Sequence, residues 1–325
     1  MLTTKVKYLN MVIISVISLI VISCDTCEIS GPENDNANEK IYFTAFSANT
    51  EVPNIYSLSK NGTNPKVLVS NGIIYSQPTD IGYICFLRKS SSGNGELYLY
   101  NITDSKLQLI TKENAVFGIS SPVISPDSKK IAFNAGEQKL IVYRNESAPV
   151  FNQVSSKLLS SGSAVFSPDS KYVAFIETED NNSYILKVID AQNTDVINTI
   201  LSKSFSTNLS GNLQSDIIHW SNDSRYLCHS LIHNDSSEII IYDIAGNTER
   251  RISLPSNDIV FNEPVISPDN KFVSFINSDG NIWVLSLENN DYKYSKITNF
   301  DDGSKSFSTE WSKDMNMIID RKSVV

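Results

Sequence analysis

The chain has few of the residues, and none of the motifs, on which common enzyme chemistry depends. Its 325 residues include three histidines, four cysteines and three tryptophans. It has no Gly-x-Ser-x-Gly nucleophile elbow and no glycine-rich phosphate loop. Gly93, Asn94 and Gly95 have the spacing of a hairpin turn, and residues 301–304 lack the remaining ligands of a calcium loop. The sequence therefore predicts a protein that is not an enzyme and carries neither a cofactor nor a metal.

Clusters of basic residues are missing as well. Lys and Arg total 27 against 36 acidic residues, which gives a net charge of −9. Removing residues 1–23, which carry Lys5 and Lys7 and no acid, leaves 25 basic against 36 acidic residues, or −11. A surface this negative repels phosphate backbones, so we expect no nucleic-acid partner. Alanine is scarce, whereas Ser, Asn, Ile and Tyr are common, and this composition favours strands and polar turns.

The apolar run near the amino terminus is too short to cross a bilayer. Residues 1–23 begin with Lys5 and Lys7, continue with an uncharged run from Met11 to Ile22, and end at Ser23. That order is typical of a secretory signal peptide. The run is about a dozen residues long, whereas a membrane-spanning helix needs about 20. A permanent transmembrane anchor is the alternative interpretation.

The end of this segment resembles the lipobox of bacterial lipoproteins. Val21, Ile22 and Ser23 precede Cys24, and Val21 stands where the family usually has Leu. The resemblance implies cleavage after Ser23 and diacylation of the Cys24 thiol, which would anchor the protein outside the cytoplasm at the periplasmic or outer-membrane face. Two acyl chains anchor a protein stably where one does not. An ordinary secreted protein with an incidental cysteine is the alternative. Residues 24–39 are polar and predict a flexible tether.

A repeated motif dominates the rest of the chain. Four segments with the pattern Ser-Pro-Asp-Ser, or a close variant, begin at Ser125, Ser167, Ser221 and Ser267, and each continues into an apolar stretch. Weaker copies begin near Pro78 and at Ser312. The intervals between the central aspartates are 47, 42, 54, 46 and 45 residues. This spacing fits a four-stranded propeller blade of about 40–45 residues. The central aspartates are Asp80, Asp127, Asp169, Asp223, Asp269 and Asp314.

Each repeat predicts one blade. A short apolar stretch predicts an inner strand, Ser-Pro-Asp-Ser a tight turn, and residues such as 131–133 a second strand that is apolar on both faces because sheets stack on each side. Six copies of a third and fourth strand follow. We therefore expect an all-β fold over residues 40–325, a six-bladed β-propeller of four-stranded antiparallel blades whose ring is closed by the C-terminal strands. Residues 41–43 and 317–319 compete for one second-strand position, so seven blades are the alternative.

These repeats look like the WD-like repeats of the TolB β-propeller family, which also occur in the propeller of prolyl oligopeptidase-type peptidases. The match covers about residues 40–321. The family's Gly after Ser-Pro-Asp is Ser or Asn here, and Asn222 and Lys313 replace the proline in two copies. The resemblance implies a six-bladed propeller outside the cytoplasm that docks proteins or glycans. TolB itself has a separate α/β domain before its propeller, for which this chain has no room, so TolB's own partners are not implied.

The repeated aspartates have two interpretations. A ring of carboxylates could bind a metal or a sugar, but each aspartate sits in the same local motif, which predicts a structural role in its own turn. The structural interpretation is favoured for all four clear copies. These residues are Asp127, Asp169, Asp223 and Asp269.

Histidines and cysteines also point to structural roles. His219, His229 and His233 all fall in one repeat, and four residues of strand separate the last two by about 13 Å, too far to share one ion. Cys85 and Cys228 occupy a second-strand position that holds alanine in other repeats. They are three blades apart in a six-bladed ring, so we expect two buried small hydrophobic residues and no disulfide.

Propellers usually bind at the channel mouth, on loops that lead from an outer strand to the next inner strand. Aromatic residues beside acids in these loops suit a protein or carbohydrate surface. We therefore expect a non-catalytic, lipid-anchored propeller that docks a protein or glycan in the cell envelope. A propeller lyase or hydrolase acting on an extracytoplasmic polymer is the alternative. The candidate binding residues are Tyr75, Phe117, Asp216, Asn262, Glu263, Phe307, Glu310 and Trp311.

Overall fold

In the residues that the structure describes, regular structure is almost entirely β-strand. The computed structural model describes residues 40–46, 52–59, 62–74, 79–89, 95–111, 119–135, 139–144, 150–155, 164–180, 183–192, 198–206, 218–232, 236–254, 264–288, 292–300, 305–312, 314–315 and 317–323. These residues form 25 strands. No described segment forms a helix with the length and apolarity that crossing a bilayer requires.

The described strands form seven antiparallel sheets, and neighbours within a sheet are consecutive in the chain. The first sheet has three strands, the next five have four each, and the last has two. The first sheet comprises β1 (Lys40–Phe46), β2 (Pro53–Ser59) and β3 (Lys66–Val69). The second comprises β4 (Ile73–Ile74), β5 (Tyr83–Lys89), β6 (Gly95–Asn101) and β7 (Lys106–Leu109), and the third β8 (Ser120–Ile124), β9 (Lys130–Ala135), β10 (Lys139–Arg144) and β11 (Val150–Gln153).

The remaining sheets repeat the same order of strands. The fourth comprises β12 (Val165–Phe166), β13 (Tyr172–Asp180), β14 (Ser183–Asp190) and β15 (Thr199–Ser206). The fifth comprises β16 (His219–Trp220), β17 (Tyr226–Ile232), β18 (Ser237–Asp243) and β19 (Thr248–Ser253). The sixth comprises β20 (Val265–Ile266), β21 (Phe272–Ile276), β22 (Ile282–Ser286) and β23 (Tyr294–Lys296), and the last β24 (Lys305–Trp311) and β25 (Ile318–Ser323).

The second strand of each four-stranded sheet is buried on both faces. In β9, Ile131, Ala132 and Phe133 are all fully buried, although successive strand residues point to opposite faces. Burial on both faces requires a neighbouring sheet on each side. Each buried Phe of this kind stabilises the fold by roughly 1.5–3 kcal/mol relative to an exposed one. The position of Phe133 is filled by Phe86, Phe175 and Phe275 in β5, β13 and β21, and by His229 in β17.

Neighbouring sheets pack through shared apolar clusters. Leu97 and Leu99 of the second sheet lie in one cluster with Ile131 and Phe133 of the third. Another cluster joins the fourth and fifth sheets in the same manner. The apolar sequence of the second strands is therefore explained by stacking of sheets face to face, as the repeat predicted.

One end of each four-stranded sheet, which we call the turn end, carries the connection from the inner strand to the second strand and the connection from the third strand to the fourth. In the first sheet Lys40 pairs with Ser59, so β1 begins at the turn end. The opposite end, the loop end, carries the connections from one sheet to the next. The chain therefore enters the folded region at the turn end of the first sheet.

Candidate functional site

Each aspartate of the repeated motif accepts hydrogen bonds inside its own turn. In the third sheet the Ser125 hydroxyl donates to Asp127 Oδ1 at 2.6 Å, and the Lys129 amide donates to the same oxygen at 3.0 Å. The Lys130 amide donates to Ser125 Oγ at 2.9 Å. Hydroxyl-to-carboxylate bonds of 2.6 or 2.7 Å recur between Ser167 and Asp169, Ser221 and Asp223, Ser267 and Asp269, and Ser312 and Asp314.

The turns around Asp127, Asp169 and Asp223 lower the pKa of the carboxyl group. Burial by itself would raise the pKa of Asp127, but the Ser125 hydroxyl, the Lys129 amide and the Lys130 ammonium, 3.5 Å away, together bring that pKa below its ordinary value. The pKa of Asp169 is lowered in the same way. Each of these carboxylates is bonded within its own turn. The part of the chain that the structure describes contains no group of three or more His, Cys, Asp or Glu side chains placed to bind a metal.

Hydrogen bonds also join each turn to the turn of the next sheet. They are made by the fourth residue of the motif and connect five turns, from the second sheet to the sixth. The Ser128 hydroxyl donates to Thr79 Oγ1 at 2.6 Å, the Asp127 amide to Ser170 Oγ at 3.0 Å, the Asp169 amide to Ser224 Oγ at 2.9 Å, and the Asn270 side-chain amide to Asp223 Oδ2 at 2.8 Å. In the last turn Met315 occupies this position and has no hydrogen-bonding group to contribute.

These bonds explain why the fourth motif residue is not glycine. Ser128, Ser170, Ser224 and Asn270 have φ values of 58°, 62°, 61° and 61°, in the left-handed region that glycine adopts without cost. An L-residue there costs roughly 1–2 kcal/mol, which a hydrogen bond between sheets offsets. The sequence showed only that Ser or Asn replaces the family's Gly at this position. The available signal of a bond between sheets was that all four clear copies carry a short polar side chain there.

The second sheet corrects the expected register of the motif. Thr79, and not Pro78, has the role of the first motif residue: the Tyr83 amide donates to Thr79 Oγ1 at 3.1 Å and the Gly82 amide to Thr79 O at 2.9 Å. Gly82 is the left-handed residue, with φ of 85°. This turn is one residue shorter than the others. Ile81 therefore occupies the place of the motif aspartate, and the expectation that Asp80 is a central aspartate was wrong.

Replacing Ser170 by Ala or by Gly separates two effects at the fourth motif position: the hydrogen bond between sheets and the cost of the left-handed backbone. Ser170→Ala keeps the left-handed conformation but leaves the Asp127 amide without its partner, so we expect the free energy of unfolding to fall by about 1–2 kcal/mol. Ser170→Gly loses the same bond but relieves the backbone, so its loss is smaller by about 1 kcal/mol. Urea denaturation of both variants measures the difference. Equal losses in the two variants would contradict this account.

The described histidines are parts of the packed interior. His229 lies between Phe205 and Tyr242, with ring centroids 5.1 and 5.8 Å away. Its Nδ1 is 3.1 Å from the Ser230 carbonyl oxygen and its Nε2 is 3.4 Å from the Tyr242 hydroxyl. Burial lowers the pKa of His229 to about 4, so the ring is neutral at pH 7.

His219 also has a bonded partner inside the fold. The Ile266 amide of the sixth sheet donates to its Nδ1 at 3.3 Å. Burial lowers the pKa of His219 to about 4 as well. Both imidazoles thus contribute to packing between sheets as neutral groups. His233 lies outside the described residues.

The two described cysteines are buried and remain thiols. Cys85 is inaccessible in β5, and burial raises the pKa of its thiol. The Cys228 thiol in β17 donates to the Pro264 carbonyl at 3.1 Å. A buried thiol held in the protonated form is a poor nucleophile. Both side chains therefore act as small core residues.

A buried ion pair at the loop end was not found from the sequence. Glu177 of β13 is almost inaccessible, and its carboxylate lies 2.7 Å from Lys187 Nζ. The Ser155 hydroxyl, which follows β11 in the third sheet, donates to Glu177 Oε1 at 2.6 Å. This carboxylate therefore ties the connection between the third and fourth sheets to the body of the fourth. The same register position holds Ala135 and Leu231 in two other second strands but Arg88 and Asn277 in the remaining two, so the repeat pattern offered no clear signal of this ion pair.

The structure places three of the eight candidate binding residues in a strand. Phe307, Glu310 and Trp311 lie within β24, where Glu310 pairs with Ile319 and Trp311 with Ile318. The expectation that they lie in a loop was wrong because this inner strand is longer than those of the other sheets. Glu310 is exposed. The other candidates lie outside the described residues, and they are Tyr75, Phe117, Asp216, Asn262 and Glu263.

Trp311 has a packing role that repeats in another sheet. Its indole donates to the Val265 carbonyl at 3.1 Å, and its ring lies 6.3 Å from that of Phe272. In the same way Trp220 of β16 donates to the Val165 carbonyl at 3.2 Å and stacks on Tyr172 at 6.1 Å. β24 therefore packs on the sixth sheet as β16 packs on the fourth, in the position of an inner strand.

Comparison with known proteins identifies the fold. No protein-family model and no curated protein matches the sequence. Among solved structures, the chain is similar to a putative 6-phosphogluconolactonase from Bacteroides uniformis, with 17% identity, a TM-score of 0.52, and coverage of 81% of this chain and 82% of that one. It is also similar to TolB from Acinetobacter baumannii, with 16% identity and a TM-score of 0.44, covering 76% of this chain and 60% of that protein. The similarity to the first of these structures and the stacked antiparallel sheets support a β-propeller fold.

Proposed function

We propose that this chain is a non-catalytic, lipid-anchored propeller that docks a protein or glycan partner in the cell envelope. The proposal rests on the observation that the polar side chains of the repeats make their hydrogen bonds inside the fold. The turn aspartates accept bonds within their own turns, and the two described histidines are buried and neutral. A scaffold whose ionisable groups are bonded internally presents rigid surfaces, and rigid surfaces suit recognition.

We place the anchor at Cys24 and the protein outside the cytoplasm. Cys24→Ser removes the thiol that would carry the acyl chains, so we expect the protein to move from the membrane fraction to the soluble fraction. Cys27→Ser is the matched control because it lies three residues away and leaves the lipobox intact. Fractionation of host cells, with mass measurement of the amino-terminal peptide, provides the readout. Retention of the Cys24→Ser variant in the membrane contradicts the lipid anchor and favours the transmembrane alternative.

We further propose six blades, with the first sheet completed by β24. The packing of Trp311 supports an inner-strand role for β24. Asp320 of β25 lies at the register position that holds a buried Phe in β5, β9, β13 and β21. In β1 the same position holds Phe43. An unpaired carboxylate buried between two sheets costs several kcal/mol. β1 is therefore the better second strand of the closing blade, and counting blades by electron microscopy tests the arrangement.

Site-specific photocrosslinking in host cells tests the docking function. Glu310 is the described and exposed member of the candidate surface, and exposed Arg250 of β19 is a control on the outermost strand of another sheet. A photoreactive residue at 310 is expected to yield a discrete crosslinked species, and one at 250 is expected to yield none. Protease and glycosidase digestion of that species distinguishes a protein partner from a glycan. Identical patterns from both positions would count against a specific docking surface there.

A further inference from the structure

The outermost strands of the first two sheets expose aliphatic side chains at a position that is polar in the other sheets. Val67 pairs with Tyr56, and Leu109 pairs with Tyr98, in equivalent places. Val67 is 53% exposed and Leu109 is 43% exposed. At the same register, the fourth strands of the third to sixth sheets carry Gln153, Ser202, Arg251 and Lys296.

Two further apolar side chains lie at the turn end of the second sheet. Leu107 is 43% exposed at the start of β7, where β19 has Glu249. Ile81 is 58% exposed and replaces the turn aspartate. We call Val67, Ile81, Leu107 and Leu109 the apolar flank. The first and second sheets pack together through one apolar cluster, so the flank belongs to two adjacent sheets. Single exposed aliphatic residues are ordinary, but a group of them on neighbouring elements marks an interaction surface.

The path of the chain indicates what covers this surface. β1 begins with Lys40 at the turn end of the first sheet, and 15 residues, 25–39, separate it from Cys24. That length reaches at most about 50 Å when fully extended. An acyl anchor on Cys24 therefore holds Lys40, at the turn end of the first sheet, within about 50 Å of the bilayer.

The charges around the flank fit a neutral lipid surface. Lys66 and Lys106 are exposed where β3 and β7 begin, and exposed Asp80 and Asp104 lie in the turns beside them. The two bases and two acids balance, so the flank has no net attraction for an anionic membrane. Lys side chains can keep their ammonium groups at the headgroups while aliphatic neighbours enter the boundary of the acyl region.

We propose that the apolar flank lies against the surface of the bilayer that carries the lipid anchor, with neutral phospholipid as its ligand. The inference rests on the proposed anchor for its orientation. The propeller then stands with the outer strands of its first two sheets on the membrane, and its fourth and fifth sheets face away. This orientation leaves the outer strands of the fourth and fifth sheets accessible to an envelope partner.

Fluorescence quenching by lipid tests the contact. The mature chain with Cys24→Ser and six histidines before residue 24 is tethered to phosphatidylcholine vesicles through a nickel-chelating lipid, with or without brominated acyl chains. Leu109→Trp reports on the flank, and Ser202→Trp reports on the same register position in the fourth sheet. The emission of the three native tryptophans is subtracted using the unsubstituted chain. We expect brominated lipid to reduce the added emission of Leu109→Trp about twofold, because interfacial side chains reach 5–10 Å into the boundary, and to leave Ser202→Trp unchanged.

Thermal unfolding confirms that both variants are folded before they are compared. The proposal is overturned if the emission of Leu109→Trp is not quenched, or if the two variants are quenched equally. The absence of quenching is also the result expected if another protein, and not lipid, covers the flank. Because the nickel tether replaces the acyl chains, this result does not depend on lipidation. Failure of the natural anchor appears separately, in the fractionation of Cys24→Ser, so the two proposals fail independently.

Discussion

His229→Phe is expected to reduce the loss of stability that the protein undergoes as the pH falls from about 6.5 to about 4. Burial lowers the pKa of His229 from 6.5 to about 4. As the pH falls through 6.5, the unfolded chain binds a proton that the folded protein does not bind until about pH 4. The free energy of unfolding therefore decreases over this window and is fully present above it. A difference of this size corresponds to about 3 kcal/mol at most.

Phenylalanine suits the position because four other second strands already have it. Phe86, Phe133, Phe175 and Phe275 are buried at the same register. At pH 7 the variant loses two polar contacts and gains apolar burial, so we expect its stability to stay within about 1 kcal/mol of the unsubstituted protein. Urea denaturation at pH 7.5 and pH 5 measures the change. His219 keeps its own contribution, so the pH dependence shrinks without vanishing, and an unchanged pH dependence would refute the assignment.

The sequence predicted the repeated parts of the fold because they follow from local chemistry. Ser-Pro-Asp-Ser specifies a turn through its proline and its side-chain bonds, and the apolar residues after Lys129 specify a strand covered on both faces. Six third-and-fourth strand pairs were expected, and the described residues contain six. The buried state of Cys85 and Cys228 was also expected, because alanine fills their position elsewhere.

Interactions between repeats were harder to predict from the sequence. The role of Ser170 depends on the Asp127 amide of the preceding sheet, 43 residues earlier, and no local pattern shows this bond. The register of the first copy was misjudged because Asp80 imitates the motif aspartate, although backbone bonds to Thr79 define the turn. The burial of Glu177 arises from the packing of neighbouring sheets around it. Interactions across sheets therefore carry the features that the sequence did not predict.

Closure of the ring depends on the same kind of relation. Among the described strands, β1 pairs with β2 and β24 pairs with β25, so both pairs compete for the last place in the ring. The choice depends on the free-energy cost of placing each strand between two sheets. Comparing the sequences of the repeats does not reveal this cost, because the comparison matches residues at equivalent positions and takes no account of the residues packed around them.

Gly280→Ala is expected to destabilise the attachment of the C-terminal hairpin. Gly280 lies in the turn between β21 and β22 with φ of +79°, a conformation that costs an L-residue roughly 1–2 kcal/mol. Its carbonyl accepts a bond of 2.9 Å from the Ser306 amide of β24. A Cβ at this position would lie 2.5 Å from Lys305 Cγ and 3.0 Å from Lys305 Cα. Because the Cα is backbone, β24 must move, and the free energy of unfolding falls by about 2–4 kcal/mol in total.

Gly62→Ala is the matched control for this variant. Gly62 has nearly the same φ, +81°, but no atom lies within 4 Å of its added Cβ. It therefore measures the backbone cost alone, about 1–2 kcal/mol. The excess loss in Gly280→Ala then reports the contact with β24, and hydrogen exchange should show faster exchange of the Ser306 amide in that variant only. If both substitutions cost the same, the turn at Gly280 does not position β24.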